Sequence, residues 1–240
     1  MKRGWRAFTL IELLVVVAII GILAALSLPV ISRSKQKAQQ IQCVGNLHQL
    51  GLALQIFVAD NQAYPSAFAS TNSDNPGIWE SQLERGGFDI SKPKKNFIGE
   101  GVWRCPSARW GANPAPGVTP VCYGYNVYGV GLNPTNALGM SGDFIPGSHS
   151  FAPVRDSEVV NPSDMMAIGD SFLGSGIFIR LPLYLLDRGG RASARHQGRV
   201  NVVFCDGHVE SPALKVVFDD TSDTALVRWN RDHQPHRHKL

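Results

Sequence analysis

Two hydrophobic patterns follow one another at the start of the chain. From Phe8 to Val30 the residues are almost all apolar and surround every side of a helix, with Glu12 as the single charge. These 23 residues would span about 35 Å at 1.5 Å per residue, enough to cross the core of a bilayer. A helix that is apolar all round is buried in lipid or in a protein bundle. We therefore predict a transmembrane segment at 8–30.

The second pattern is amphipathic. Apolar positions recur at spacings of three and four along residues 41–58, which indicates one buried helical face. Pro29 lies between the two patterns, where a proline can kink a helix without ending it. The patterns together predict one helix over 8–60, preceded by a leader at 1–7. Its first half would lie in the membrane and its second half would pack on a globular domain at 61–240.

The globular domain shows strand and turn signals in its second half. Asp206-Gly207 is a strong hairpin signal between two short apolar runs. Strands are predicted at 165–170, 200–205 and 208–210, a short helix at 79–83, a loop at 111–120, and a segment at 226–229 that closes the sheet or packs at its edge. The predicted fold class is α+β: a long N-terminal helix packed on an antiparallel sheet.

The charge distribution is informative mainly at the two ends. Lys2, Arg3 and Arg6 precede the apolar segment, which favours a cytoplasmic N-terminus and export of the rest. Without the leader the formal net charge falls from +4 to +1, so charge implies no nucleic-acid partner. The basic, His-rich end at 228–240 predicts a solvated, poorly ordered tail.

Glu12 helps to separate three interpretations of the apolar segment. A secretory signal would be cut after small residues such as those at 24–27, and a plain anchor would stay uncut. In the third interpretation the chain is cut before the apolar segment, which is then retained. A carboxylate at the centre of a membrane helix costs roughly 2.5–3.5 kcal/mol, and less near its end. Cleavage between Ala7 and Phe8 would create an amino group with which Glu12 of a neighbouring subunit could pair. The alternative is an incidental glutamate that reaches the interface.

The stretch AFTLIELLVV at 7–16 closely resembles the signal of type IV prepilins and type II secretion pseudopilins. The resemblance implies cleavage before Phe8 by a prepilin peptidase, methylation of the new N-terminus, and a kink at Pro29. It implies a structural subunit rather than an enzyme, with other pilin-like subunits as partners. The expected location is the inner membrane, crossed once, with the domain in the periplasm. Ala7 departs from the glycine that is usual before the cut.

A second resemblance covers the C-terminal half. His196 is followed after nine residues by Asp206-Gly207. This ending is similar to the H-x9-DG signature of a planctomycete and verrucomicrobial group that also carries a prepilin signal. The resemblance identifies a family more than an activity.

The same region offers candidate metal ligands: His196, Asp206, His208 and Asp170. They could hold Ca²⁺ or another divalent metal, but His196 and Asp206 are about 33 Å apart along an extended chain. They meet only if the chain folds back; otherwise Asp206 sets a turn and His196 hydrogen-bonds a loop. Pseudopilins often bind Ca²⁺ in a C-terminal loop, and three aspartates at 219–223 offer oxygen ligands at loose spacing.

Four cysteines would face an oxidising compartment in this topology. A disulfide between Cys43 and Cys105 is favoured because it would tie the helix to the domain, with Cys122–Cys205 as a further pair and free thiols as the alternative. An alternative function is a membrane-tethered binding module for glycans or metal that forms no filament. It would use the loops at 123–128 and 196–208.

Overall fold

The computed structural model describes residues 9–69, 77–88, 100–108, 121–131, 137–145, 150–173, 176–187 and 190–240. The chain divides into two compact units, residues 1–38 and residues 39–240. The predicted cleavage residues Ala7 and Phe8 and the predicted loop at 111–120 lie outside the described residues.

A single long helix, α1, contributes to both units. It runs over Leu10–Asn61 and includes Pro29 in its interior, so the proline does not end it. Among the described residues it is the one helix whose length and apolar composition would allow it to cross a membrane. Its apolar residues between Leu10 and Ile31 are exposed in the isolated chain, as expected of a surface that meets lipid or other helices.

The second half of α1 packs on the domain through one face. That face consists of Gln40, Cys43, Asn46, Leu47, Leu50, Gly51, Leu54 and Phe57. Gly51 is needed for the closest approach, because a Cβ at this position would lie 2.7 Å from the Gly207 carbonyl oxygen. The predicted amphipathic helix and its contact with an antiparallel sheet are confirmed.

Short strands form the rest of the framework. Their bounds are β1 Phe68–Ala69, β2 Gly77–Ile78, β3 Tyr123–Tyr125, β4 Phe144–Ile145, β5 Ser150–Phe151, β6 Met166–Asp170, β7 Val202–Phe204 and β8 Val209–Glu210. The central sheet is antiparallel in the order β3-β6-β7-β8, and β1-β2 and β4-β5 form two small pairs. Asp170, the last residue of β6, lies opposite Tyr123. The β7–β8 turn holds Gly207 at φ 88°, so the hairpin signal predicted the right place.

The helical segments of the domain are short. They are α2 Trp79–Arg85, α3 Leu183–Leu186, α4 Arg191–Ala194, α5 Leu214–Phe218 and α6 Asp223–Leu226, with 3-10 turns at Gly101–Trp103, Asp156–Glu158, Arg195–Gln197, Val227–Trp229 and Arg237–Lys239. The alternative that residues 226–229 form a strand that closes the sheet was wrong, because this segment is helical. Leu226 and Trp229 are three residues apart on one helical face, and both are fully buried, with Trp229 stacked on Phe178 at 4.8 Å.

The expected disorder of the C-terminal tail was also wrong. Arg228 forms ion pairs with Asp164 at 2.9 Å and Glu210 at 2.6 Å. Arg231 then donates from one nitrogen to three backbone carbonyls, those of Ala137, Gly139 and Ser141. These contacts hold the tail against the domain.

Candidate functional site

Glu12 has a local role at the start of α1. Its carboxylate accepts hydrogen bonds from the Thr9 backbone N–H at 2.9 Å and from the Thr9 hydroxyl at 2.7 Å. The Thr9 hydroxyl oxygen in turn accepts from the Glu12 N–H at 3.3 Å. This reciprocal pattern is a capping box, which satisfies donors that the first turn leaves unpaired. Glu12 remains exposed, so its carboxylate is accessible to a neighbouring chain while it caps its own helix.

A second cluster lies inside the domain, around Asp170. Its carboxylate oxygen Oδ1 accepts from Arg195 Nη2 at 2.7 Å, and Oδ2 accepts from the Asn201 N–H at 2.7 Å. Arg195 also donates to the carbonyls of Ser171 at 2.8 Å and Cys122 at 2.9 Å. Both charged side chains are almost completely buried. A buried ion pair with this many partners fixes the register of the loop that carries Arg195 against the end of β6.

Burial by itself would raise the pKa of Asp170, but the Arg195 guanidinium and His196 oppose it, so the pKa lies below its usual value. For His196, burial alone would lower the pKa, because it disfavours the charged imidazolium. The Asp170 carboxylate and the Cys105 contact outweigh that effect and raise the pKa to about 9. The cluster therefore holds Asp170 ionised at neutral pH, which is the state that its partners require.

His196 extends the cluster toward two cysteines. Its Nε2 atom lies 3.4 Å from Cys105 Sγ and 3.4 Å from Asp170 Oδ2. The ligand atoms of Cys43, Cys105 and His196 all lie within 4.8 Å of one another, and all three residues are buried. Burial would raise the pKa of Cys105, but hydrogen bonds from Cys43 and His196 lower it to about 5. The group thus offers a thiolate inside the domain, which is the form of cysteine that binds metal.

Residues 6–28 match the family described as Prokaryotic N-terminal methylation motif. The type II secretion system core protein G of Aeromonas hydrophila is 30% identical over 133 residues, which cover 55% of this chain and 86% of that protein. The chain belongs to the type II secretion system core protein G family. It is therefore a pilin-like pseudopilin.

Two further relatives have the same name. The core protein G of Escherichia coli K12 is 35% identical over 107 residues, covering 44% of this chain and 67% of the relative. That of Pseudomonas aeruginosa is 42% identical over 65 residues, covering 27% of this chain and less than half of the relative. No solved structure matches this pseudopilin. The comparisons do not bear on the H-x9-DG resemblance, which stays a prediction.

The predicted metal ligands of this pseudopilin do not form one group. His196 and Asp170 are together in the buried cluster. Asp206 and His208 instead pair with each other at 2.6 Å on the exposed β7–β8 turn, where His208 stacks on Phe204. Asp206 also accepts from the His208 N–H, as an aspartate in a tight turn does. Asp206 therefore sets the turn, which was the alternative interpretation of the sequence. His196 lies instead in the buried cluster around Asp170.

The aspartates suggested for a C-terminal Ca²⁺ loop are used within the domain. Asp219 accepts from the Leu183 N–H at 2.9 Å, and Asp220 accepts from the Ser222 N–H at 2.8 Å. Asp223 forms an ion pair with Arg237 at 2.6 Å. Each of the three carboxylates thus has its own partner, in a turn, at a helix start or in an ion pair. These contacts do not bring the three carboxylates together.

Sequence reasoning missed the association of Cys43 and Cys105 with His196. It linked the two cysteines to each other as a disulfide, and this pairing stays a prediction; both sulfurs are free in this structure. The neighbouring Arg195-His196 pair was the available signal, since a charged pair that ends up buried needs acidic or thiolate partners. The sequence does not show which partners those are, because they come from distant segments.

Proposed function

We propose that this pseudopilin is a structural subunit of a type II secretion pseudopilus, cut before Phe8 by a prepilin peptidase and methylated there. The leader at 1–7 would be removed in the cytoplasm. The segment at 8–30 would hold the subunit in the inner membrane with the domain in the periplasm, and Pro29 would allow α1 to bend as subunits pack. Family membership and the apolar α1 helix with its accessible Glu12 carboxylate support this proposal.

The observation that carries assembly lies on the docked half of α1. Ile41, Leu52 and Ile56 are 62%, 64% and 62% exposed, although the helix is otherwise well packed on the domain. At 3.6 residues per turn these three positions fall on one stripe, about 180° from the buried face. A stripe of large apolar side chains opposite the core face is a surface for another helix. In a filament this stripe would contact the helix of a neighbouring subunit.

The alternative of a glycan-binding module has less support. Of the three tyrosines in the proposed binding loop, Tyr123 and Tyr125 are fully buried in the core cluster, and Tyr128 is partly buried against it. Tyr125 stacks on Trp79 with ring centroids 5.1 Å apart. Sugars stack on exposed rings, so these side chains serve the core rather than a ligand surface.

Replacing Leu52 with lysine tests the assembly surface. The charge would be inserted between packed helices, where it lacks a partner, while the exposed site in the free subunit tolerates it. We expect at least a tenfold loss of the chain from the sheared, pelletable filament fraction of cells that overproduce the secretion system. The thermal midpoint of the detergent-solubilised subunit should change by less than about 2 °C.

Leu52→Met is the matched control, because it changes the same residue but keeps a large apolar side chain on the stripe. It should enter filaments like the wild type. Equal filament content for Leu52→Lys and the wild type would contradict the proposed surface. Absence of the wild-type chain from any pelletable fraction would contradict the filament itself.

A further inference from the structure

The buried group of Cys43, Cys105 and His196 joins three segments that are distant in the sequence. Cys43 lies on α1, Cys105 follows the 3-10 turn Gly101–Trp103, and His196 lies in the 3-10 turn Arg195–Gln197. Their sulfur and nitrogen ligand atoms are all within 4.8 Å of one another. We propose that these three residues bind a zinc ion, which ties α1 to the two loops of the domain.

The spacing fits the ion. Zinc binds cysteine sulfur at about 2.3 Å and histidine nitrogen at about 2.0–2.1 Å, usually with tetrahedral geometry. Tetrahedral angles then place a sulfur and a nitrogen about 3.5 Å apart. Cys105 Sγ and His196 Nε2 are 3.4 Å apart. The fourth position is open to Asp170, whose Oδ2 is 3.4 Å from the same nitrogen. Two thiolates and an imidazole form a soft ligand set that suits zinc better than Ca²⁺.

The arrangement argues against a catalytic cysteine. In a Cys-His-Asp triad the thiol and the carboxylate contact opposite nitrogens of the imidazole, so that a proton can pass through the ring. Here both contact Nε2, and among the described residues Nδ1 has no hydrogen-bond partner. A sulfur and a carboxylate oxygen that both lie beside the same nitrogen are arranged like ligands around one ion, not like a proton relay. The residues are also buried, which leaves a substrate no access to the sulfur.

The backbone around His196 is held in an unusual conformation. His196 has φ 52° and Gln197 has φ 57°, both in the left-handed region that residues other than glycine rarely adopt. Such conformations persist where the surrounding structure fixes them, and they concentrate at ligand-binding sites. This turn places the imidazole Nε2 3.4 Å from both Cys105 Sγ and Asp170 Oδ2.

With zinc bound in place of the protons on Cys43 and His196, charge in the cluster remains balanced. Two thiolates and the Asp170 carboxylate carry three negative charges, and a divalent ion with the Arg195 guanidinium supplies three positive charges. Arg195 is fixed next to the group by its 2.7 Å ion pair with Asp170. A neutral cluster can be buried at a much lower cost than one with an unpaired charge. A Cys43–Cys105 disulfide would remove both thiolates and leave the buried imidazole facing an uncharged sulfur.

The test uses the full-length chain, purified in detergent from cells grown with added zinc and without chelators. Elemental analysis of the wild type should find about one zinc per chain. Cys43→Ser, Cys105→Ser and His196→Gln should each lower the zinc content at least fivefold. Cys122→Ser and Cys205→Ser are matched controls, because they also change buried cysteines but lie outside the proposed site, and they should keep the metal.

A second readout does not depend on the variants folding. Exchange of the wild-type metal for Co²⁺ should give the visible and thiolate charge-transfer absorption of a tetrahedral dithiolate site. A wild-type chain without bound zinc, with a Cys43–Cys105 disulfide in its peptide map, would overturn the proposal. So would full zinc content in the Cys105→Ser variant, or a Co²⁺ spectrum without thiolate bands.

Discussion

Replacing Glu12 with alanine is expected to remove the pseudopilin from filaments while its domain still folds. In the assembled state the carboxylate would pair with the amino group of Phe8 on a neighbouring subunit, inside an apolar bundle. Loss of one partner from a buried pair costs about 3–5 kcal/mol because the other charge is left alone. At about 1.4 kcal/mol per factor of ten, each subunit contact would weaken at least 100-fold. The measurement is the amount of chain in the sheared filament fraction, relative to the amount in the membrane.

A control is needed because Glu12 also caps its own helix. Thr9→Ala removes the hydroxyl that donates to Glu12 but keeps the carboxylate. If interchain pairing is what matters, Thr9→Ala should assemble within about twofold of the wild type, since losing a cap costs only about 1 kcal/mol. Equal losses in Thr9→Ala and Glu12→Ala, both with normal leader removal, would assign the effect to capping and contradict the proposed ion pair.

The second large effect is expected inside the domain. Asp170→Asn would keep the size of the side chain but leave the Arg195 guanidinium buried without its counter-charge. The expected loss is about 3–5 kcal/mol in the free energy of unfolding, measured by urea titration in zinc-containing buffer. Asp206→Asn is the matched control, because that carboxylate is exposed on the β7–β8 turn, and it should cost less than about 1 kcal/mol.

The pH dependence distinguishes this ion pair from a general packing defect. The pKa of Asp170 is lower in the folded state than its ordinary value of 3.8. Its contribution to stability is therefore fully present above that ordinary value and is lost as the pH falls through the folded-state pKa. The wild type should lose stability relative to Asp170→Asn as the pH drops below about 4. A difference between the two that is the same at pH 7 and at pH 3 would contradict the electrostatic account.

The elements with strong local signals could be predicted from the sequence. Helix α1 is long, apolar in its first half and amphipathic in its second, and its predicted end at 60 lies one residue from the observed end at Asn61. Asp206-Gly207 predicted the β7–β8 hairpin, because the turn requires a residue with positive φ. In these places a few adjacent residues determine the local structure, so contacts with distant residues hardly alter it.

The parts that depend on distant contacts could not be predicted in the same way. The segment at 226–229 is apolar enough for a strand, but Trp229 is buried against Phe178 and Phe218 from a helical turn. His196 was grouped with Asp170, Asp206 and His208. Asp170 does lie beside it, at the end of β6, but its other neighbour Cys105 comes from a separate loop. A single sequence gives no measure of those distances.

The central claim, that this chain is processed and used as a pseudopilin, depends on its N-terminus. Mass spectrometry of the N-terminal peptide, from chain purified out of membranes that contain a prepilin peptidase, tests it most directly. We predict that the peptide begins at Phe8, carries one methyl group and lacks residues 1–7. A peptide that begins at Met1, or one that begins after Ala25, would contradict the account.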